Sequence, residues 1–220
     1  MLAAAEWWRI IGTYGAHIWP AQFLFYGLGL VLVAWLIRNP GPINSWFLTL
    51  YLSVIFAWNG VAFFFTLAAG ITGESYGTYL FGGMFVVISV FLAMDLFRRN
   101  MQYSFSAAGA RAYLTAVLLV LVFCYPLFGI ALGHPAERLL MPGAFPCPTT
   151  ALGLLLLTMA LPRISRVSFV VMLAWAIPFP PFVQIPRYGV YEDVIMFAVG
   201  VYSLVLLVQY WKGSSPHITG

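Results

Sequence analysis

The sequence predicts an all-α fold, a polytopic transmembrane bundle of about seven spanning helices with the N-terminus outside and the C-terminus inside. Two properties of the 220-residue chain predict this class: 63% of its residues are hydrophobic and 7% are charged. A soluble domain carries roughly 25% charged residues because its surface faces water. So apolar a chain fits a lipid bilayer, where helices satisfy their own backbone hydrogen bonds.

Three parts follow one another along the chain. Residues 1–18 are predicted to form an interfacial amphipathic helix with no function of its own. Residues 19–212 form a single transmembrane helical domain, and residues 213–220 form a C-terminal tail. The N-terminus lacks the basic start and cleavage site of a signal peptide. We therefore expect the first span to direct insertion into the plasma membrane, as a multi-pass protein.

Five apolar segments are each long enough to cross about 30 Å of hydrocarbon at about 1.5 Å per residue. They cover residues 20–37, 46–69, 77–97, 112–132 and 190–211. Pro, Gly, Asn or Arg residues separate most of them, as expected for turns at the membrane surface. These five are predicted as continuous spans 1 to 4 and 7.

Spans 5 and 6 are predicted to be irregular. Span 5, residues 149–161, is only about 20 Å long as a helix, and the sequence Phe-Pro-Cys-Pro precedes it. Span 6 begins near Val167 and meets the proline-rich residues 177–181. Proline removes a backbone donor and clashes with the preceding turn, so we expect broken or extended ends there. If span 5 is re-entrant, the count becomes six and the C-terminus lies outside.

The distribution of Lys and Arg sets the predicted orientation. With the N-terminus outside, three of the ten basic residues lie outside and the rest lie inside, as the positive-inside rule requires. No basic run is longer than Arg98-Arg99, so we expect no nucleic-acid partner. The expected partners are the lipid bilayer and other membrane proteins in a complex.

The outer face is predicted to carry a ligand-binding site. Both proline-rich ends, of spans 5 and 6, fall on that face, together with His134, Cys147, Glu192 and Asp193. The helix dipole alone can explain two acids at the start of span 7, and the alternative is an outward-facing cation or proton site. Asn59, inside span 2, needs a partner away from lipid, either another helix or a ligand.

His134, Met141 and Cys147 are candidate ligands for a soft metal ion. Their spacing matches no compact ligand motif, and a closed zinc site needs a fourth ligand. The alternative is that His134 caps the end of span 4 and Cys147 is a small packed residue. A disulfide with Cys124 is not expected, because Cys124 lies two turns inside span 4. The sequence leaves the cofactor undetermined.

Three short runs are distinctive: YPLFG at residues 125–129, GHP at 133–135 and PCPTT at 146–150. With them the chain resembles a prokaryotic family of small multi-pass membrane proteins that is catalogued as a domain of unknown function. The resemblance covers roughly residues 20 to 205. It implies a family pattern at the outer face, but no activity and no catalytic residue.

Three functions remain open from the sequence. The first is transport or binding of a small solute or ion through an outward-facing vestibule between spans 4 to 7. The second is a non-catalytic accessory subunit of a larger membrane complex. The third is a membrane enzyme or redox protein centred on Cys147, with His134 as its base. No familiar hydrolase, metalloprotease or phosphate-binding motif is present. Whether the protein is an enzyme stays open, and a non-enzymatic role is favoured.

Overall fold

The computed structural model describes residues 3–72, 76–98, 101–105 and 109–213, and over these ranges it contains helices, turns and loops but no β-strand. This agrees with the predicted all-α class. In a bilayer the helix is the one open-ended structure that satisfies every backbone polar group within its own segment.

Four helices are long and apolar enough to cross a membrane, counted over the described ranges. Helix α2 covers Ala21–Arg38 and α5 covers Tyr76–Arg98, while α10 covers Asp193–Gly213. The remaining one, Pro42–Ile71, is composite. It begins as α3 (Pro42–Trp58), widens into a π-helical segment π1 (Asn59–Ala68) and ends in α4 (Ala69–Thr72).

Two further apolar helix pairs are each bent at a short break. Helices α6 (Gly109–Phe123) and α7 (Tyr125–Ala131) meet at 56°, and α9 (Arg166–Ala176) meets a second π-helical segment π2 (Pro180–Tyr188) at 40°. The bend before π2 lies at the proline-rich stretch, as predicted. The prediction of a continuous span 4 was wrong, because Pro126 starts a new helix there.

Helix α8 (Pro146–Met159) is the centre of the bundle, and all 14 of its residues are buried. It starts three residues before the predicted span 5, because prolines are tolerated in the first turn of a helix. Neighbouring helices approach it closely: a Cβ on Gly153 would lie 2.9 Å from Phe56 Cε2. Because protein surrounds α8, this helix does not need the length of a span that is exposed to lipid. This explains how so short a segment fits in the bundle.

Helix α1 (Ala4–His17) packs against one end of the bundle through Ile10, Ile11 and Tyr14. The Tyr14 hydroxyl donates a hydrogen bond to the Ala144 carbonyl (3.0 Å) and accepts one from the Trp58 indole N–H (2.7 Å). The predicted interfacial helix is therefore joined to the transmembrane domain by specific contacts.

The bundle has two opposite ends, which we name after one residue at each. Helices α8 and α10 both begin at the Cys147 end. At the Asp95 end, Ser104 N–H donates to the Met159 carbonyl (3.0 Å) and Tyr103 N–H donates to Ser45 Oγ (3.1 Å). Residues 101–105 therefore close the bundle where α3 begins and α8 ends.

Candidate binding site at the Cys147 end

The N-terminal turns of α8 and α10 bring Cys147 and Asp193 together. Cys147 is 6% exposed and Asp193 is fully buried. The Tyr125 hydroxyl, at the start of α7, donates a hydrogen bond to Asp193 Oδ1 (3.1 Å). Gln184 Nε2, from π2, donates to Cys147 Sγ (3.7 Å), and the Cys147 thiol interacts electrostatically with the Asp193 carboxyl. Four helical segments thus converge on one polar cluster.

The second acid of the pair, Glu192, faces His134. His134 Nδ1 lies 2.9 Å from Glu192 Oε1, and Glu192 is only 3% exposed. Burial raises the pKa of the Glu192 carboxyl, and the neighbouring His134 opposes that rise. The dipole explanation placed these acids at the membrane surface, but the fold encloses both.

Several acceptor atoms of this cluster accept no hydrogen bond from any described residue. They are Asp193 Oδ2, Glu192 Oε2 and Gln184 Oε1, and all three are buried. A buried acceptor without a partner costs about 1–3 kcal/mol, and more when it is charged. The cluster also holds two carboxyl groups and one imidazole. It therefore has both the charge and the free acceptors to take up a proton or a positively charged donor.

A narrow cavity of about 20 Å³ adjoins the cluster, enough for about one water-sized molecule. Cys147 and Gln184 line it on one side, and Trp175 of α9 lines it on another. The π1 segment contributes Phe63 and Phe64. The π1 and π2 segments, of 10 and 9 residues, therefore both present side chains to the same cavity.

Helix α1 roofs the cavity with two tryptophans. The Trp8 indole N–H donates to the Tyr188 carbonyl (2.7 Å), and the Trp8 ring centre lies 4.4 Å from that of His134. Trp7 stacks on the Tyr188 ring at 4.9 Å. Both tryptophans line the cavity. The vestibule predicted at this face is therefore covered by α1.

Asn59 lies outside this cluster. Its Nδ2 donates to the Ile55 carbonyl (2.7 Å) and the Gly143 carbonyl (3.2 Å). Gly143 has a φ of +90°, which favours glycine, and its N–H donates to Thr149 Oγ1. Asn59 thus holds the loop that leads into α8, and its bonds go to this loop and to its own helix rather than to a neighbouring helix.

The three candidate metal ligands do not form one group. His134 pairs with Glu192, Cys147 bonds to Gln184, and the Met141 carbonyl accepts from the backbone of Ala144. Within the described ranges, no group of three or more His, Cys, Asp or Glu side chains is placed to hold a metal ion. Cys124 and Cys147 are both free thiols.

The sequence prediction missed the role of several residues. Tyr125 stands in the YPLFG run, and only the break before α7 brings its hydroxyl to Asp193. Trp7 and Trp8 belong to a helix that was expected to lie in the interface with no function. Their position depends on long-range packing, for which the local sequence gives no signal.

A family model described as a family of unknown function, DUF6064, matches residues 4–215. The chain belongs to the DUF6064 family. No curated protein and no solved structure matches it. The family match begins at the first residue of α1 and therefore includes the roof of the cavity as well as the bundle.

Proposed function

We propose that this DUF6064 protein binds a small ammonium-type cation at the Cys147 end, as the binding step of transport across the membrane. The observation that carries the proposal is the set of three buried acceptors without partners, Asp193 Oδ2, Glu192 Oε2 and Gln184 Oε1. An ammonium group has only donors, so it complements acceptors that have none.

Charge supports the same ligand class. Glu192 has the His134 imidazole as its partner, whereas no described Lys, Arg or His side chain pairs with the buried Asp193 carboxyl. A buried unpaired charge is costly, so a proton or a cation must accompany it. If the cation replaces the proton on the carboxyl group, cation binding is coupled to proton release.

The cavity walls favour an ammonium ion over a metal ion. Tryptophan and phenylalanine side chains line the cavity, and aromatic rings can attract organic cations within about 6 Å of the ring centre. A metal ion would need a set of ligands that the described residues do not provide. The volume of about 20 Å³ limits the occupant of this conformation to about one water-sized group, which is the size of an ammonium ion.

Topology supports access from the outside. Under the orientation inferred from the Lys and Arg distribution, the Cys147 end faces outward. Four long helices, two bent pairs counted as one span each, and the enclosed helix α8 together make seven crossings. An odd number of crossings puts the N-terminus and the C-terminus on opposite sides of the membrane. In this arrangement α1 covers the site on its outer side.

The competing readings draw less support. A thiol enzyme with His134 as the base of Cys147 would need those two groups together, but His134 pairs with Glu192. No surface in the described part of the chain specifically favours a role as an accessory subunit.

Uptake of radiolabelled methylammonium into proteoliposomes tests the proposal. We expect saturable uptake by the reconstituted protein that excess ammonium inhibits. Uptake no faster than into protein-free liposomes, by a protein that is folded and inserted, would overturn it. A protein that leaves its native membrane only together with other subunits in fixed ratio would favour the accessory role instead.

A further inference from the structure

A second polar group without a full set of partners lies at the opposite end of the bundle, in a groove rather than a sealed cluster. The groove has a volume of about 380 Å³ and is lined by α3 and α5 and by residues that follow α5. Asp95 sits in it half-buried, and Ser165 interacts with its carboxyl, while the Oδ2 atom itself is buried and receives no hydrogen bond from the described residues.

The walls of the groove are apolar and open to the side of the bundle. Trp46 is 37% exposed, Phe47 is 41% exposed and Ile43 is more exposed still. These residues lie in the first turns of α3, a membrane-crossing helix. Tryptophan at such a position is typical of the headgroup level of a bilayer. The groove thus joins a lipid-facing apolar surface to a carboxyl group near the membrane surface.

Basic groups adjoin the carboxyl. Arg98 lies one turn after Asp95 on α5, is exposed and interacts electrostatically with it. A neighbouring cavity of about 310 Å³ shares Pro42 and Gln102 with the groove and is lined by Arg163. The groove and the cavity beside it thus hold one carboxyl group and two arginines, Arg98 and Arg163.

We propose that this groove binds the headgroup of phosphatidylethanolamine, with its primary ammonium donating to Asp95, its phosphate towards Arg98 and Arg163, and an acyl chain along Trp46 and Phe47. The ammonium supplies the donor that Asp95 Oδ2 lacks, and the phosphate suits guanidinium groups. Phosphatidylcholine has no N–H to donate and phosphatidylglycerol has no positive charge. This site is independent of the cation site at the Cys147 end.

Lipid selectivity tests the proposal. The protein is reconstituted in vesicles of equal parts phosphatidylethanolamine, phosphatidylcholine and phosphatidylglycerol, re-extracted in mild detergent, and its retained lipids are quantified by mass spectrometry. We expect phosphatidylethanolamine to be enriched over phosphatidylcholine by about tenfold, as for one charge-assisted hydrogen bond. Asp95→Asn should reduce this enrichment to near one. The matched control Glu6→Gln, a partly exposed acid on α1 that pairs with Arg9, should leave it unchanged.

Equal retention of the three lipids by the wild-type protein would overturn the proposal, as would full enrichment in a folded Asp95→Asn variant. If that variant does not fold, stepwise N-methylated phosphatidylethanolamines are compared on the wild-type protein. Retention should then fall with each lost N–H, and retention independent of methylation would contradict the site.

Discussion

The two ends of the bundle place the same kind of group, an aspartate carboxyl, in opposite surroundings. At the Cys147 end, Asp193 is fully buried, bonded to Tyr125 and roofed by α1. At the Asp95 end, the carboxyl lies in an open groove beside arginine. The comparison teaches that burial and covering, not residue type, separate the cation site that we propose at the Cys147 end from the lipid-headgroup site that we propose at the Asp95 end.

The largest expected effect is on uptake by Asp193→Asn. The amide keeps the shape of the side chain but removes the charge that the cation must neutralise, so methylammonium uptake should fall by roughly 100-fold or more. The control is Asp95→Asn. This variant should retain near wild-type uptake, because Asp95 lies at the opposite end of the bundle. Equal losses in both variants would show that the two ends are not functionally distinct.

The second expected effect is on stability and concerns how α1 is held. A Cβ on Gly15 would overlap the Glu137 carbonyl oxygen, so Gly15→Ala must displace α1 or the segment below it. We expect a loss of about 1–3 kcal/mol in the free energy of unfolding, measured by denaturation in detergent. Gly12→Ala is the matched control, since its nearest neighbour is an Arg138 side-chain atom at 3.5 Å. If both variants are equally stable, α1 is not fixed by this contact.

A third effect concerns access to Cys147. In a Cys124→Ser background, a water-soluble maleimide should label Cys147 slowly, because the thiol is buried beneath Trp7 and Trp8. Trp8→Ala removes the indole that bonds to the Tyr188 carbonyl, and should speed labelling by about tenfold. Labelling rates are read by mass spectrometry. Fast labelling of the protein with Trp8 intact would mean that α1 does not cover the site.

The smallest expected effect is on the pH dependence of binding. Burial raises the pKa of Glu192 above its ordinary value, so the free protein retains this proton to a higher pH than an exposed glutamate would. A cation competes with that proton, and its affinity should therefore rise as pH rises through the raised pKa. Glu192→Gln should flatten this part of the profile, measured as methylammonium affinity against pH. An unchanged profile would exclude Glu192 as the competing group.

The sequence predicted the positions of the long spans within a few residues, because an apolar run of about 20 residues has one stable solution in lipid. It did not predict the break at Cys124 or the two π-helical segments, which depend on how neighbouring helices meet. The sequence also did not predict that α8 begins at Pro146. The prolines of the PCPTT run were interpreted as a helix breaker, but they occupy the first turn of α8.

The site was predicted in part. His134, Cys147, Glu192 and Asp193 do lie at one end, because spans of similar length bring alternate loops to the same side. Asn59 bonds to the loop that precedes α8 and does not join the polar cluster at the Cys147 end. Tyr125 and the α1 roof come from tertiary convergence, which no local motif encodes.

The most direct test of the cation site is equilibrium binding of radiolabelled methylammonium to the purified protein in nanodiscs, with Asp193→Asn and Asp95→Asn in parallel. We expect saturable binding by the wild-type protein and by Asp95→Asn, with loss of binding in Asp193→Asn. Absence of binding to the folded wild-type protein, or unchanged binding in Asp193→Asn, would contradict the assignment of the buried acids at the Cys147 end as a cation site.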